Sequence, residues 1–407
     1  MAFQQGLSGL NIASKALDAI SNNVANSTTV GFKQSSAQFA DLYASTLGGG
    51  GNAQIGIGAT VTGVAQQFSQ GSITVTSNPL DLAINGEGFF RMSDNGSAIY
   101  TRNGQFSVDK NGYIVNPSGY RLTGYGTDAD DNIIVTTPID LRIDTALSGG
   151  EPRSTEEADL AVNLDSRLVP PVPLPAFNPI NTNSFSYSTS LTAYDSLGNS
   201  HIMSLYFVKT APNEWDLHTS LDGGPTAGPT PLEFNSNGVL TVPASMTIGL
   251  SFPVTTGAAS PLAFDLDLSG STQFGSAFSV NAVAQDGFAS GRLSGISVSP
   301  EGVMQGRYTN GQSRNLGQVV IATFQNPDGM TQLGSNGWAE TSLSGSPAVG
   351  TPGTGNRGGL QPAAVEDSNV DLTAELVNMI TQQRAYQANA QSIKTQDQIM
   401  QTLVNLR

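Results

Sequence analysis

The chain has 407 residues, a formal net charge of -15 and no cysteine. That length is enough for two or three domains with cores of their own, and the lack of cysteine excludes disulfides, thiolate zinc sites and thiol catalysis. No basic stripe is present to neutralise phosphates, which argues against nucleic acid, and no stretch approaches the ~20 apolar residues of a membrane span.

The first predicted element is a helix ending near Asn26. Phe3, Leu7, Leu10, Leu17 and Val24 fall on a seven-residue repeat, Ser14 and Ser21 fill its remaining positions, and Ile20 lies close by. Such a repeat makes one stripe along a helix. Asn22, Asn23 and Asn26 are weak helix formers, and Gly31 can turn the chain. The N-terminus has neither a basic n-region nor an apolar h-region, so export, if it occurs, is expected without a cleaved signal.

From about residue 80 the pattern changes to β-structure. Asn-Gly pairs begin at Asn85, Asn95, Asn103, Asn111, Asn237, Asn310 and Asn336, and this dipeptide suits tight hairpin turns because both residues tolerate positive φ. Alternating runs such as Gln105 to Val108 flank several of them, predicting a series of antiparallel strands. The proline-rich stretch 168–179 and the Gly-Pro cluster 223–231 are expected as surface loops or a sheet edge. The low-complexity stretch 344–362 is expected as a flexible connection to the last helix.

That last helix is predicted from Ser368, with Ser368 and Asp371 as its start signal. Leu372, Leu376, Met379, Gln383, Tyr386, Ala390, Ile393 and Met400 recur every three or four residues, and Leu403 continues the apolar character. The two ends carry balanced charge: Lys15 and Lys33 face Asp18 and Asp41 before residue 80, and three acids meet three bases after residue 370. The whole net charge therefore lies in residues 81–370. Neutral ends tolerate close packing of many copies, while acidic middles repel and stay soluble. Periodicity by itself leaves open whether the two helices form a hairpin within a monomer or an assembly surface.

Candidate chemistry is sparse. His201 and His218 are the only histidines, have no neighbouring ligand pattern, and are expected on a surface or an edge strand. Gly353, Gly355 and Gly358 match G-x-G-x-x-G without the strand, helix and acidic partner that give that motif meaning. Asp265, Asp267, Ser269 and Gly270 imitate the start of a calcium loop, but Ser276 stands where a bidentate glutamate is required. Asp130 and Asp131 lie in an expected turn with nothing to separate their pKa values. No enzyme activity, cofactor or metal is expected.

Longer motifs carry a resemblance. The run LDAISNNVANSTTVGFK, Leu17 to Lys33, resembles the N-terminal signature of the bacterial flagellar rod and hook family; Asn22, Asn23, Ala25 and Asn26, then Gly31, Phe32 and Lys33, are its recognisable parts. Val30 departs from the proline found before this glycine in many rod members. Ser368 to Leu406 is similar to the matching C-terminal signature. NPLDLAINGEGFF (Asn78 to Phe90) and YTRNGQFSVDKNGYIV (Tyr100 to Val115) resemble the β-domain shared by distal rod and hook subunits, and TAYDSLGNSHIMSLYF (Thr192 to Phe207) resembles part of the additional outer domain of hook-type members.

The resemblance implies a mainly β fold with helical termini: a coiled coil of the N- and C-terminal helices, and two antiparallel β-rich domains, the outer inserted into the inner. Residues 1–30 and 363–407 would form the coiled coil, 31–75 a connecting segment, 76–143 with 285–362 the inner β-domain, and 144–284 the outer one. It further implies self-assembly into a helical tube around an export channel on the cell exterior. The partners it implies are the distal rod, a hook cap, hook-filament junction proteins and the type III export apparatus. A monomeric secreted hydrolase or carbohydrate binder is the competing class, and it would need a cleft with a displaced carboxylate pKa.

Overall fold

The computed structural model describes residues 2–42, 56, 58–128, 131–143, 151–170 and 176–405. Helix α1 spans Ala2–Ala25 and α2 spans Leu372–Asn405. At ~1.5 Å per residue they measure about 36 and 51 Å. α1 runs through Asn22 and Asn23 and stops before Asn26, whose amide N–H donates to the Asn22 carbonyl. The cap of α2 is Asp371 rather than Ser368: its Oδ1 accepts the N–H groups of Thr373 and Ala374, two of the first unpaired donors of the helix.

The chain divides into two compact units. The first comprises residues 1–144, 295–307 and 313–407, and the second, inserted in its sequence, comprises 145–294 and 308–312. In the first, α1 and α2 run antiparallel, and Ser35–Leu42 pairs with Gly58–Gln66 as a hairpin with a bulge after Gln38. The sheet beyond has Phe89–Asp94 at its centre, hydrogen-bonded to Ser97–Thr101, Arg121–Tyr125 and Ile321–Thr323. Its core is aromatic: Phe68 and Phe89 each meet Trp338 edge-on at 5.6 Å, and Tyr100 meets Phe324.

Low complexity between 344 and 362 does not make a flexible connection here. Ala348–Gly350 pairs with Ile321–Thr323, and Gly359–Pro362 pairs with Leu82–Asn85. The turn between these strands is held by the Arg357 guanidinium, which donates to the Thr351 carbonyl and the Thr354 hydroxyl. Small residues suit this tight path: a Cβ on Gly358 would stand 2.6 Å from the Asn85 carbonyl oxygen.

The second unit is a β-sandwich. One sheet orders Tyr187–Tyr194, Ser200–Ala211, Glu214–Leu221, Thr226–Phe234 and Leu240–Val242, all antiparallel. The other orders Thr247–Phe252, Leu262–Asp267, Glu157–Asp165 and Thr272–Phe274, with Ser279–Gln285 also on Glu157–Asp165. Two pairings in it are parallel, a feature that hairpin signals do not announce. Inward residues of both sheets, among them Leu160, Phe207, Trp215, Leu217, Phe252 and Leu266, share one core. The Gly-Pro cluster forms most of Thr226–Phe234, paired on one side and, up to Leu232, open on the other.

Both histidines depart from expectation. His201 is buried between two aspartates, and His218 is half-buried, stacked on Phe177 with ring centroids 4.0 Å apart. Asp265 and Asp267 lie on a strand, and Asp267 caps the turn to Ser269 through its N–H. Among the described residues no three His, Cys, Asp or Glu side chains converge as a metal site. Asp130 lies outside the described residues.

Candidate assembly site

The two helices meet along a seam that the leucine repeat does not predict. Gly6, Gly9, Ala13, Ala16, Ile20 and Asn23 alternate by three and four residues, and Ala13, Ala16, Ile20 and Asn23 are buried. Only small side chains allow the approach seen here. A Cβ on Gly6 would stand 2.9 Å from the Ile393 side chain, and one on Gly9 would stand 2.7 Å from that of Asn389. Ile20 on α1 and Ile393 on α2 are thus the predicted residues that lie in the seam.

The predicted stripe lies beside the seam and stays largely uncovered. Leu7 is 46 % exposed, and Leu10, Leu17 and Val24 are half-buried. On α2, Met379 and Ile393 are half-buried, whereas Leu372, Leu376, Tyr386 and Met400 are exposed, at 44 % for Leu376 and 62 % for Met400. The side chain of Leu403 lies outside the described residues. Singly exposed apolar residues need no explanation; here they recur in rows along both helices.

The base of the helix pair is fixed by polar groups. Asn23 pairs with the Ser35 backbone in both directions, its Nδ2 donating to the carbonyl at 2.8 Å and its Oδ1 accepting the N–H at 2.9 Å. The same Nδ2 reaches Glu375 at 3.4 Å, and Gln34 donates to the other Glu375 oxygen at 2.6 Å. Asn369 accepts the Gln34 N–H and donates to the Gln67 carbonyl. One buried asparagine therefore ties the end of α1 to the first strand and to the first turn of α2. Asn22 and Ala25 are exposed, and the Asn26 side chain donates to Asn22.

Gly31, Phe32 and Lys33 turn the chain into the β-structure. Gly31 has φ of +71°, and a Cβ there would stand 2.5 Å from the Asn103 backbone nitrogen. Its N–H donates to the Glu366 carbonyl. Phe32 is buried, and the Lys33 ammonium, also buried, meets Glu366 at 2.6 Å and the Ser69 carbonyl at 2.7 Å. The second Glu366 oxygen accepts from Arg102 at 3.0 Å, and Arg102 lies over the Phe89 ring. Burial pushes the pKa values of Lys33 and Arg102 down against the opposing pull of Glu366.

Sequence reasoning missed Glu366, Arg102, Glu375 and the glycine seam. The small residues at positions 6, 9, 13 and 16 carried a legible signal in their own three-four spacing. Glu366 had a weaker one, the first of two acids, with Asp367, that close the apolar run Ala363 to Val365. Arg102 had none.

The chain thus combines two terminal helices packed on each other, apolar residues exposed along both, and β-rich units between them in the sequence. Four family descriptions match in chain order: flagella basal body rod protein over residues 3–33, flagellar hook protein FlgE/F/G D1 domain over 83–149, flagellar basal body protein FlaE D2 domain over 163–288, and flagellar basal body rod FlgEFG protein C-terminal over 361–406. The flagellar hook protein FlgE of Escherichia coli strain K12 is 43 % identical over the full length of both chains, and that of Salmonella typhimurium 42 % over both. The Borreliella burgdorferi protein is 31 % identical, covering 99 % of this chain and 98 % of its own. A crystal structure of the Helicobacter pylori flagellar hook protein FlgE2 matches with a TM-score of 0.50 at 13 % identity, over 71 % of this chain and 99 % of that one, a likeness of fold alone. The chain belongs to the flagellar hook protein FlgE family. It is a non-enzymatic structural subunit of the hook, outside the cell.

Proposed function

We propose that the chain polymerises through its terminal helices into a curved tube that encloses the export channel and turns as a universal joint between rod and filament. The observation that carries this reading is the division of labour on the helices. Small residues close the seam within the subunit, and Leu7, Leu10, Leu17, Val24, Leu372, Leu376, Tyr386 and Met400 remain as contacts for neighbouring copies. Burying each such side chain contributes about 1.5–3 kcal/mol, so a few per subunit hold an inner tube firmly. Acidic, glycine-rich β-surfaces contribute less per area and can exchange partners as curvature changes.

In this reading residues 1–30 and 363–407 are the assembly part, 31–75 connects, 76–143 with 285–362 is the inner β-domain and 144–284 the outer. Family membership supports self-polymerisation and association with rod and export components. The distal rod, a hook cap, the hook-filament junction proteins and the type III export apparatus are the proposed partners. Electron microscopy in high salt of the full chain, beside one lacking 1–30 and 368–407, tests the reading. Curved tubes from the full chain alone support it; straight tubes favour a rod-type subunit, and monomers from both overturn assembly through the ends.

A further inference from the structure

His201 is the second residue of the strand Ser200–Ala211 in the second unit, and both of its ring nitrogens face carboxylate oxygens. Nδ1 lies 2.6 Å from Asp222 Oδ2, and Nε2 lies 3.3 Å from Asp195 Oδ2. A carboxylate only accepts hydrogen bonds, so both contacts are satisfied together only when the ring carries two protons. The neutral ring turns one nitrogen lone pair toward an oxygen anion.

The aspartates are themselves built in. Asp195 is fully buried; its Oδ1 accepts the N–H groups of Leu197 and Asn199, and its Oδ2 accepts Asn199 Nδ2 and, at 2.6 Å, the Thr256 hydroxyl. Asp222 follows the strand Glu214–Leu221 at φ of +49°, and its Oδ1 accepts the Ile202 N–H. A cavity of about 240 Å³ opens beside the ring, walled by Asp222, Pro225, Phe252, Pro253 and Thr256. Three chain stretches distant in sequence thus meet at one imidazole: the 195–199 turn, the 222–225 turn and the 253–256 loop.

We propose that His201 is a pH-sensitive clamp: as imidazolium it binds Asp195 and Asp222 at once, holding these three stretches around the cavity, and on losing a proton it lets them part. The charged groups that face the ring are Asp195 and Asp222; the cavity walls contributed by 224–225 and 252–256 carry none. Burial by itself would lower the His201 pKa, but the hydrogen bonds to Asp222 and Asp195 outweigh it and the pKa lies above the ordinary value. Burial would raise Asp195 and Asp222, yet their hydrogen bonds, from Thr256, Asn199 and His201 for the former and from His201 and Ile202 for the latter, hold both below the usual carboxylate value. The sign follows from linkage. The clamp is complete below the unfolded histidine value of about 6.5 and weakens as pH rises through the higher folded value. The second unit is therefore tightest below about pH 6.5 and loosens as pH rises through the folded His201 value.

The chain has two histidines, so full-length protein with labelled histidine gives two ring signals, and His218→Asn assigns them. His201 is expected to titrate above 6.5 and His218, whose pKa burial lowers, below it. Amide exchange at 195–202 and 252–257, corrected for intrinsic pH dependence, is expected to rise up to roughly tenfold for each pH unit by which folding raises the His201 pKa. Asp222 is half exposed, so Asp222→Asn should fold, lower the His201 titration and flatten the exchange profile. A His201 titrating at or below His218, or corrected exchange that ignores pH in the unmutated chain, overturns the clamp. So does an Asp222→Asn chain that keeps both behaviours.

Discussion

Lys33 and Glu366 are 333 positions apart in the chain and 2.6 Å apart in the fold, both buried, with Arg102 on the other carboxylate oxygen. Two cations share one anion at the point where the N-terminal segment enters the β-structure and the C-terminal segment leaves it. Replacing such a cluster by apolar groups can be neutral, but removing one member leaves a charge unpaired and costs about 3–5 kcal/mol. Glu366→Gln strands two cations at once. We expect at least that loss in the first unit, read as faster amide exchange at 82–92 and 360–366, with the second unit unchanged.

Gly31 tests a different constraint. Its φ of +71° by itself is open to asparagine at modest cost. The Cβ position, 2.5 Å from the Asn103 backbone nitrogen, is closed to every side chain, because backbone cannot rotate aside. Gly31→Asn should therefore be as damaging as Gly31→Ala, each costing on the order of 1–3 kcal/mol by strain. Chemical denaturation compares the two; rescue by asparagine would show that φ, not close approach, demands glycine.

In the helix seam two effects oppose each other. Gly9→Ala gains about 1 kcal/mol of helix propensity, and its contact is a flexible Asn389 side chain that can move. We expect near neutrality. Gly9→Leu drives α2 away at an overpacking cost of about 1–3 kcal/mol, which raises the critical concentration for polymerisation by roughly 5- to 150-fold. Sedimentation of assembled against free chain measures both.

The apolar stripe should fail differently. Leu376 is exposed in the single chain, so Leu376→Asp leaves the β-units folded and abolishes polymerisation, as does Leu17→Asp. Circular dichroism with electron microscopy separates folding from assembly. Tubes formed by either variant would sink the proposed contacts.

Amide exchange of the free chain offers a further check. Apart from the buried Glu375, α2 from Leu372 to Thr402 has a few half-buried side chains and is otherwise exposed. Helices with so little packing open at low free energy. Residues 2–25 and 372–405 should exchange well ahead of the strand Phe89–Asp94 in the monomer and become protected in the tube. Equal protection in the monomer would contradict this.

The sequence by itself determined the helical ends, the β-rich middle, the family signatures and the balance of charge, because each rests on local periodicity or contiguous motifs. Asn95-Gly96 shows why such signals work: positive φ at both residues is a property of the dipeptide and suffices to make the turn from Phe89–Asp94 to Ser97–Thr101. Only the tertiary structure decided which stripe of α1 closes on α2, since leucine and glycine repeats share one period and differ in how near another backbone can come. It alone also placed Glu366 between Lys33 and Arg102, and His201 between Asp195 and Asp222. Those meetings depend on chain crossings hundreds of residues long or on turns packed side by side, and no local pattern records the distance between groups that only folding brings together.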